Sequence, residues 1–600
     1  MVLVVSNKKR VRMRMHRLLL AYGAFLLIAQ HCFPNGVTSL SLQYTPTVAT
    51  HRSRLSLANC DVQEDPESLG ESKVVVVVGA GVAGLAAAWT LLQQPQQSTR
   101  GIATHSEFRD EKEHPLKVLV LEAKDRVGGR LWSVPMSQGT TTTKLGENAN
   151  TSTVRQQQTN EATIVDLGGM YWHGDSPVLQ HLQSCFPTFE TVASGGTSQH
   201  PGRSGAQWLM YDENGNLQPL PLNEQAQIQV LYDRWDEHMC AEYATHRRQD
   251  RLLRKFMELD TPKLLSGWSQ IFLEKLSVRE QSLLQFQLDM AFGLDGGIPL
   301  AGHALRGLDS DWDWIQYKGE DRVSKQGMQH VMKELSDDIV AKGGTVQTEQ
   351  RVTRIQYASS SLEYKVTITT ESGTQYYADA CIVALPLGVL KASSSVLFDP
   401  ALPSRKQSTL DRAAVGALNT VAVRWNRPVC ARNTTAYYLV GDKYPQNPLR
   451  NGYVCSGNLR GDDPTVTQFY LSETCFDFDD MTYWKTQALE IVQDLMPGEP
   501  KLALDDILDI KVSQWHLDPD IRGSYSAPAT NTRGNMDRKR LAESVDRALF
   551  FAGEHTHYEG RYQSIDGAYE TGVRAAAEVA DALVDRLHHS RERGVNTAGF

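Results

Sequence analysis

The sequence predicts an α/β protein in which a parallel-sheet domain is interleaved with a second, mixed α+β domain that the chain visits in separate stretches. Three observations carry this. An unbroken β-branched run, Val74 to Val78, passes through a glycine turn into an Ala/Leu-rich stretch, the pattern of a strand buried on both faces that feeds a helix. A second short strand, "LKVLVLEA", ends near Glu122. Far downstream, "RALFFAGEHTH" reads as a strand running into a loop, and "SIDGAYETGVRAAAEVADALVDRL" as a long helix.

In chain order, the first segment is a leader. It carries no acid before Asp61, but holds Lys8, Lys9, Arg10, Arg12, Arg14, Arg17, Arg52 and Arg54. Its apolar run, Leu18 to Ala29, is short for a bilayer span, and the Ser/Thr/Arg-rich stretch behind it has the composition of a transit segment. Entry into the secretory pathway is the expectation, with plastid import and secretion both open. Sequons stand at Asn150 and Asn433. The first two strands are separated by a polar stretch, and a second polar excursion precedes "TIVDLGG". From about Leu220 to Leu284 the spacing is helical. Strand signals return in "TVQTEQRVTRIQYASSSLEYKVTITT" and "ADACIVALPLGVL", and alternate through "LNTVAVRW".

Composition narrows the function classes. With 41% hydrophobic and 22% charged residues in 600, the chain can bury two or more cores. Its net charge of −9, more negative still without the leader, argues against nucleic acid and suits cationic ligands. The eight cysteines show no C-x-x-C pair and no metal-ligand spacing with histidine, so neither a metal site nor a disulfide framework is expected.

Gly79-Ala80-Gly81-Val82-Ala83-Gly84 sits between strand and helix, as a Rossmann-type dinucleotide turn requires: backbone N–H groups approach a pyrophosphate, and the helix packs closely. Glu122, at the end of the second strand, is the acid placed to grip a ribose hydroxyl. Six residues on, Gly128-Gly129-Arg130 resembles the FAD fingerprint of flavoproteins, which disfavours a purely nicotinamide-binding site; a guanidinium fork suits a phosphate oxygen. At the far end Gly553 and Glu554 can bind polyol hydroxyls. The start of the last helix, Ile565 with Gly567 and Ala568, can point amides at the electron-rich side of a flavin.

Seven strings in order, "VVVGAGVAGLAAA", "VLEAKDRVGGR", "DLGGMYWHG", "RVTRI", "CIVALPLGVLK", "WHLDPDIRGSYS" and "FAGEHT...DGAYETG", resemble the flavin-containing amine oxidase family, most closely polyamine oxidases, with monoamine oxidases and lysine-specific histone demethylases as relatives. The resemblance implies a Rossmann-type FAD-binding domain with a discontinuous substrate-binding domain. The layout expected is a leader at 1–72; FAD-binding parts at 73–190 (insertions near 94–115 and 137–162), 321–400 and 506–587; substrate-domain parts at 191–320 and 401–505; and a tail at 588–600. It further implies that Glu122 holds the ribose, Arg130 the phosphates, Val352 the adenine through its backbone, and Glu554 the linking chain. Gly168, Gly169, Met170 and Tyr171 would lie along the isoalloxazine, with Trp515 and Tyr525 near its pocket.

Ser524 stands where monoamine oxidases carry the cysteine that binds FAD covalently, so the resemblance implies non-covalent FAD. Thr420 stands where the family usually has a lysine; it can hold a water but carries no charge. His173, by itself a histidine packed beside aromatics, becomes by resemblance a rim residue that hydrogen-bonds the amine or tunes its protonation. The implied chemistry is oxidation of an amine, most of all a polyamine, with a small-molecule amine and oxygen as partners, no nucleic acid and no stable membrane insertion after leader removal. Asp309, Asp311 and Asp313 are candidate partners for remote ammonium groups. The alternatives are an L-amino-acid or monoamine oxidase, or a flavoprotein weakened by Thr420. A histone demethylase fits less well, since no heptad-bearing insertion is visible.

Overall fold

Val74–Val78 (β1) lies at the centre of a five-stranded parallel sheet. With Lys117–Leu121 (β2), Thr345–Gln347 (β3), Ala380–Val383 (β4) and Leu549–Phe551 (β5), the order is β3-β2-β1-β4-β5. The order reverses at β1, so a crevice opens beyond the carboxyl ends of β1 and β4, where ligands of doubly wound sheets bind. The missing alternation in β1 has a plain cause. Val75 and Val77 face Val82–Leu92 (α1), Met328–Ala341 (α2) and Ile565–Asn596 (α3), while Val76 and Val78 face a second sheet through Ile355 and Ile368. Both faces are dry, so both must be apolar.

The computed structural model describes residues 73–93, 116–137, 163–194, 206–253, 271–294, 296–298, 317–357, 365–430, 434–441, 447–450, 453–456, 463–472, 476–496, 500–527 and 533–596. The leader, both polar insertions apart from Ser137, the sequon asparagines Asn150 and Asn433, Cys32, Cys60, Cys475 and the Asp309–Asp313 acids lie outside the described residues. Among the described residues no helix is long and apolar enough to cross a membrane, and no cluster of His, Cys, Asp or Glu could hold a metal ion.

α1 begins at Gly81 with no side-chain cap and no acid in its first turn, which leaves its N–H groups directed at the crevice. Gly84 lies one turn in. A Cβ there would stand 1.9 Å from the Gly79 carbonyl oxygen, so the third motif glycine lets helix and turn touch.

The second region is a seven-stranded mixed sheet in the order Ile507–Val512, Asn419–Trp425, Val466–Leu471, Tyr453–Ser456, Ala436–Val440, Ala206–Tyr211, Leu217–Pro219. Helices Leu222–Leu253 and Val278–Leu288 fall in the stretch read as helical, and their apolar side chains pack on Trp208, Tyr438 and Tyr470. Helix Met481–Asp494 covers the other face with Trp484 and Ile491.

Two readings of the sequence are corrected. "ADACIVALPLGVL" is a strand only as far as Val383; Pro386 then caps a helix, Leu387–Leu397, because proline's fixed φ suits a helix start and interrupts a ladder. "LNTVAVRW" does not alternate between core and water. Val421, Val423 and Trp425 pack on the helix 481–494 side, while Thr420 and Ala422 are also buried, Ala422 against Val165 and Leu167. Period two then turns Thr420 away from the valines and onto the cavity described next.

Candidate functional site

A cavity of about 860 Å³ opens at the β1–β4 crevice. It is lined by Gly79, Gly81, Ala83, Glu122, Gly129 and Arg130 from the first two strand ends, by Val352, by Gly168 to Tyr171 with His173, by Thr420, Trp515 and Tyr525, and by Gly553, Glu554, Ile565 and Ala568. Residues far apart in sequence thus meet because the parallel strands end on one side. Gly84 and Gly567 do not line it. Gly84 serves the helix contact given above, and Gly567 is packed so that a Cβ would lie 1.8 Å from the Arg561 carbonyl oxygen.

The expectation for the last helix needs correcting at this point. The Gly567 N–H donates to Ser564 Oγ at 3.0 Å and the Ala568 N–H to the Ser564 carbonyl at 3.1 Å. Ser564 is therefore an N-cap, and it takes the two amides that would have faced a flavin. Ile565, the first helical residue, lines the cavity ahead of them.

Three buried carboxylates, Glu122, Asp321 and Glu554, line the cavity. Glu122 accepts from the Ala80 N–H at 2.7 Å and the Lys124 N–H at 3.0 Å. Burial pushes its pKa up, against those two hydrogen bonds and nearby Arg126. Glu554, 4% exposed, accepts four hydrogen bonds: Oε1 from Arg130 Nη1 (3.1 Å) and the Ser526 N–H (3.0 Å), Oε2 from Ser526 Oγ (2.7 Å) and the Gln563 N–H (3.1 Å). Burial works to raise its pKa, but Arg130, His555 and Ser526 together hold it below its ordinary value. Arg130 also donates to the Ser524 carbonyl at 2.6 Å, so its guanidinium is fixed against the cavity wall.

These residues fit FAD. An uncapped, acid-free helix N-terminus meets two glycine turns that touch each other, a Cβ on Gly129 coming 3.2 Å from Gly81 Cα, which leaves backbone amides for a pyrophosphate. Arg351 forks onto Asp520 (Nη2–Oδ2 2.9 Å) beside Val352, closing that wall with an ion pair absent from the sequence reading. The cavity lies within the size range of cofactor sites.

At the candidate reaction centre Trp515 is 3% exposed, and its Nε1–H donates to the Leu167 carbonyl at 2.9 Å. Trp132 meets it edge-on at 5.9 Å. The Tyr525 hydroxyl donates to the Leu294 carbonyl at 2.5 Å. Thr420 lies opposite Tyr470 in the ladder, and the Tyr470 hydroxyl donates to Met170 Sδ at 3.0 Å. The described lining holds no lysine. His173 Nδ1 stands 3.3 Å from Asp321 Oδ2, and both residues line the cavity. Asp321 and Tyr470 were not anticipated. Only strand register brings Tyr470 in, and Asp321 has no motif around it.

A doubly wound nucleotide crevice joined to a buried aromatic pocket defines an oxidoreductase with a dinucleotide-type cofactor. The family model described as flavin containing amine oxidoreductase matches residues 82–580, and the chain belongs to that family, with FAD as its cofactor. It is 27% identical over 540 residues to lysine-specific histone demethylase 1 homolog 2 of Oryza sativa subsp. japonica, covering 87% of this chain and 59% of that protein. It is 33% identical over 241 residues to polyamine oxidase 4 of the same plant, covering 40% and 46%. The chain thus spans about half of those two relatives. Polyamine oxidase 2 of Arabidopsis thaliana is 25% identical, with 86% of this chain and 89% of that one covered. Wild-type putrescine oxidase bound to putrescine shares the fold at a TM-score of 0.57 and 18% identity, covering 85% of this chain and 99% of that one.

Ser524 offers the flavin no covalent attachment. Its hydroxyl donates to the Leu418 carbonyl (2.8 Å) and accepts from the Leu418 N–H (2.6 Å), so it serves the wall and has no thiol to offer. Acid precipitation of the purified protein is expected to release all of its flavin into the supernatant; yellow colour retained in the pellet would contradict this.

Proposed function

We propose that this protein oxidises polyamines at a carbon beside an amine nitrogen, giving an imine that water hydrolyses to aldehyde and amine, with oxygen reduced to hydrogen peroxide. FAD, when bound, supplies the two-electron acceptor for hydride from that carbon. The observation that carries the reading is the histidine–carboxylate pair, His173 with Asp321, in a cavity wall otherwise rich in Tyr171, Tyr470, Trp515 and Tyr525. An aromatic surface suits the methylene chain of a polyamine, and a histidine backed by a carboxylate suits the amine nitrogen. The substrate must lose its proton before hydride leaves, and burial among aromatic rings favours the neutral amine. His173 is the group available to accept that proton. Two-way coverage of a relative named a polyamine oxidase supports the same substrate class. The composition of the leader supports entry into the secretory pathway, ending in a plastid or outside the cell.

The test uses the purified flavoprotein without oxygen and follows bleaching of the flavin band with spermine, spermidine, their acetylated forms, monoamines and amino acids. Bleaching by the polyamines is expected. If no amine bleaches it, amine oxidation is refuted; if only monoamines or amino acids do, the polyamine assignment is. Readmitting oxygen then separates the two halves of turnover. With no lysine in the described lining, the wild type is expected to reoxidise slowly, and Thr420→Lys to speed reoxidation at least about tenfold by placing a positive charge in the cavity. Equal rates would show that oxygen reactivity does not depend on that position.

A further inference from the structure

His173 sits on a loop that the segment before strand Arg322–Ser324 holds from several directions. The Trp172 and Arg322 backbones exchange hydrogen bonds at 2.9 Å in both senses, and the Asp175 N–H donates to the Lys318 carbonyl at 2.6 Å. Between these, Gly174 takes φ +64°, and a Cβ there would stand 2.4 Å from the Tyr317 carbonyl oxygen, so the turn requires glycine. Asp321 is 6% exposed and occupies the middle of this clasp. Its Oδ1 accepts from the Gly174 N–H at 3.2 Å, and its Oδ2 faces His173 Nδ1 at 3.3 Å.

The two contacts set the histidine's chemistry. His173 Nδ1 and Asp321 Oδ2 are both shut off from solvent, yet 28% of the His173 side chain is exposed. The ring's opposite edge carries Nε2, and His173 lines the cavity. A carboxylate against Nδ1 favours the tautomer with its proton on Nδ1, which leaves Nε2 as a lone-pair acceptor toward the cavity. Asp566, a second buried carboxylate that His173 influences electrostatically, accepts the Ser176 hydroxyl, whereas Asp321 is the carboxylate in contact with Nδ1.

We propose that Asp321 is a positioning residue for amine oxidation: it fixes His173 in the Nδ1–H tautomer, so that Nε2 accepts the proton an ammonium substrate must lose before its carbon gives up hydride. No net redox change occurs in this step. The proton leaves the substrate nitrogen, the N–H electron pair stays on that nitrogen, and His173 becomes the imidazolium paired with the Asp321 carboxylate. The inference rests on the amine-oxidase reading given above. The plain alternative is that Asp321 only caps the Gly174 N–H.

Asp321→Asn separates the two. Its amide oxygen can still accept from the Gly174 N–H, but its NH₂ must then face His173 Nδ1. That makes Nδ1 an acceptor and moves the ring proton to Nε2. A structural cap survives this change, whereas a proton acceptor is lost. The expected result is a fall of at least about tenfold in the anaerobic rate constant for flavin bleaching by an amine, with the amine's dissociation constant and the flavin spectrum little changed. Asp321→Glu, which keeps the charge, should recover much of the rate. In a His173→Ala background Asp321→Asn should add less than about twofold, since it acts only through the missing ring.

A rate within about twofold of wild type in flavin-replete Asp321→Asn, or an undiminished effect in the His173→Ala background, overturns the proposal while leaving amine oxidation standing. If no amine bleaches the wild type, the amine-oxidase reading falls and takes this inference with it. If Asp321→Asn fails to hold FAD, heteronuclear NMR of wild-type holoenzyme with isotope-labelled histidines decides, the His173 signal being assigned by its loss in His173→Gln. A protonated Nδ1 with bare Nε2 supports the proposal, and the opposite tautomer overturns it.

Discussion

Glu554→Gln is expected to yield protein that purifies without FAD and is destabilised by about 3–5 kcal/mol, although glutamine has the same shape. The reason lies in the donor count. Each Glu554 oxygen accepts two hydrogen bonds, from Arg130 and the Ser526 N–H on one side and from Ser526 Oγ and the Gln563 N–H on the other. Whichever way a glutamine amide is turned, its NH₂ points at a backbone N–H. One buried donor is left unsatisfied and Arg130 loses its counter-charge. Since whole domains are stable by only about 5–15 kcal/mol, a loss of this size is visible in the unfolding midpoint. Thermal unfolding, with the ratio of flavin to protein absorbance, is the measurement. A glutamine variant that keeps its flavin and melts with the wild type would show that the four-donor arrangement is not what holds this wall.

The same carboxylate sets the sign of an acid dependence. Its folded-state pKa lies below the ordinary value of 4.5. The unfolded chain therefore takes up the proton first as pH falls. The stabilisation is complete above the ordinary value and is lost as pH drops through the depressed one. Glu554→Gln should flatten that acid limb while being the less stable protein at neutral pH.

What the sequence made legible was local. β1, its glycine turn, Glu122, Gly129 and Arg130 each lie in a short string whose residue types a strand, turn or helix start demands, so their place at the strand ends could be expected from sequence despite the insertion between them. The buried valine run also told the sheet type, because only a strand covered on both faces can be apolar throughout. Residues that meet only through tertiary structure were not legible. Tyr470 enters the cavity through its register opposite Thr420, and Asp321 reaches His173 through a clasp between distant loops. The Gly567 and Ala568 amides were misassigned for a smaller reason. A helix start points its N–H groups forward only when no cap intervenes, and Ser564 is such a cap. Its hydroxyl lies three residues before Gly567, a capping spacing that is visible in the sequence.

Gly168→Ala should be as damaging as a much larger substitution, because nothing around it can give way. A Cβ at Gly168 would stand 1.9 Å from the Arg130 carbonyl oxygen and 3.1 Å from Trp515 Cζ2. That carbonyl cannot swing aside: it accepts from the Gly169 N–H at 3.2 Å, and the Arg130 side chain is tied to Ser524 and Glu554. The tryptophan is pinned by its hydrogen bond to the Leu167 carbonyl. The added methyl must therefore push the 168–171 loop into the cavity. About 3 kcal/mol of overpacking strain is expected, and FAD affinity should fall at least about tenfold, read by titrating FAD into apoprotein. Gly293→Ala provides the comparison. There the nearest heavy atom to the new Cβ is Ser472 Oγ at 3.6 Å, an ordinary contact, and alanine in a helical turn gains up to about 1 kcal/mol over glycine. If the two variants bound FAD alike, steric closure at Gly168 would not be what shapes the cavity, and the loop would have to be softer than its hydrogen bonds imply.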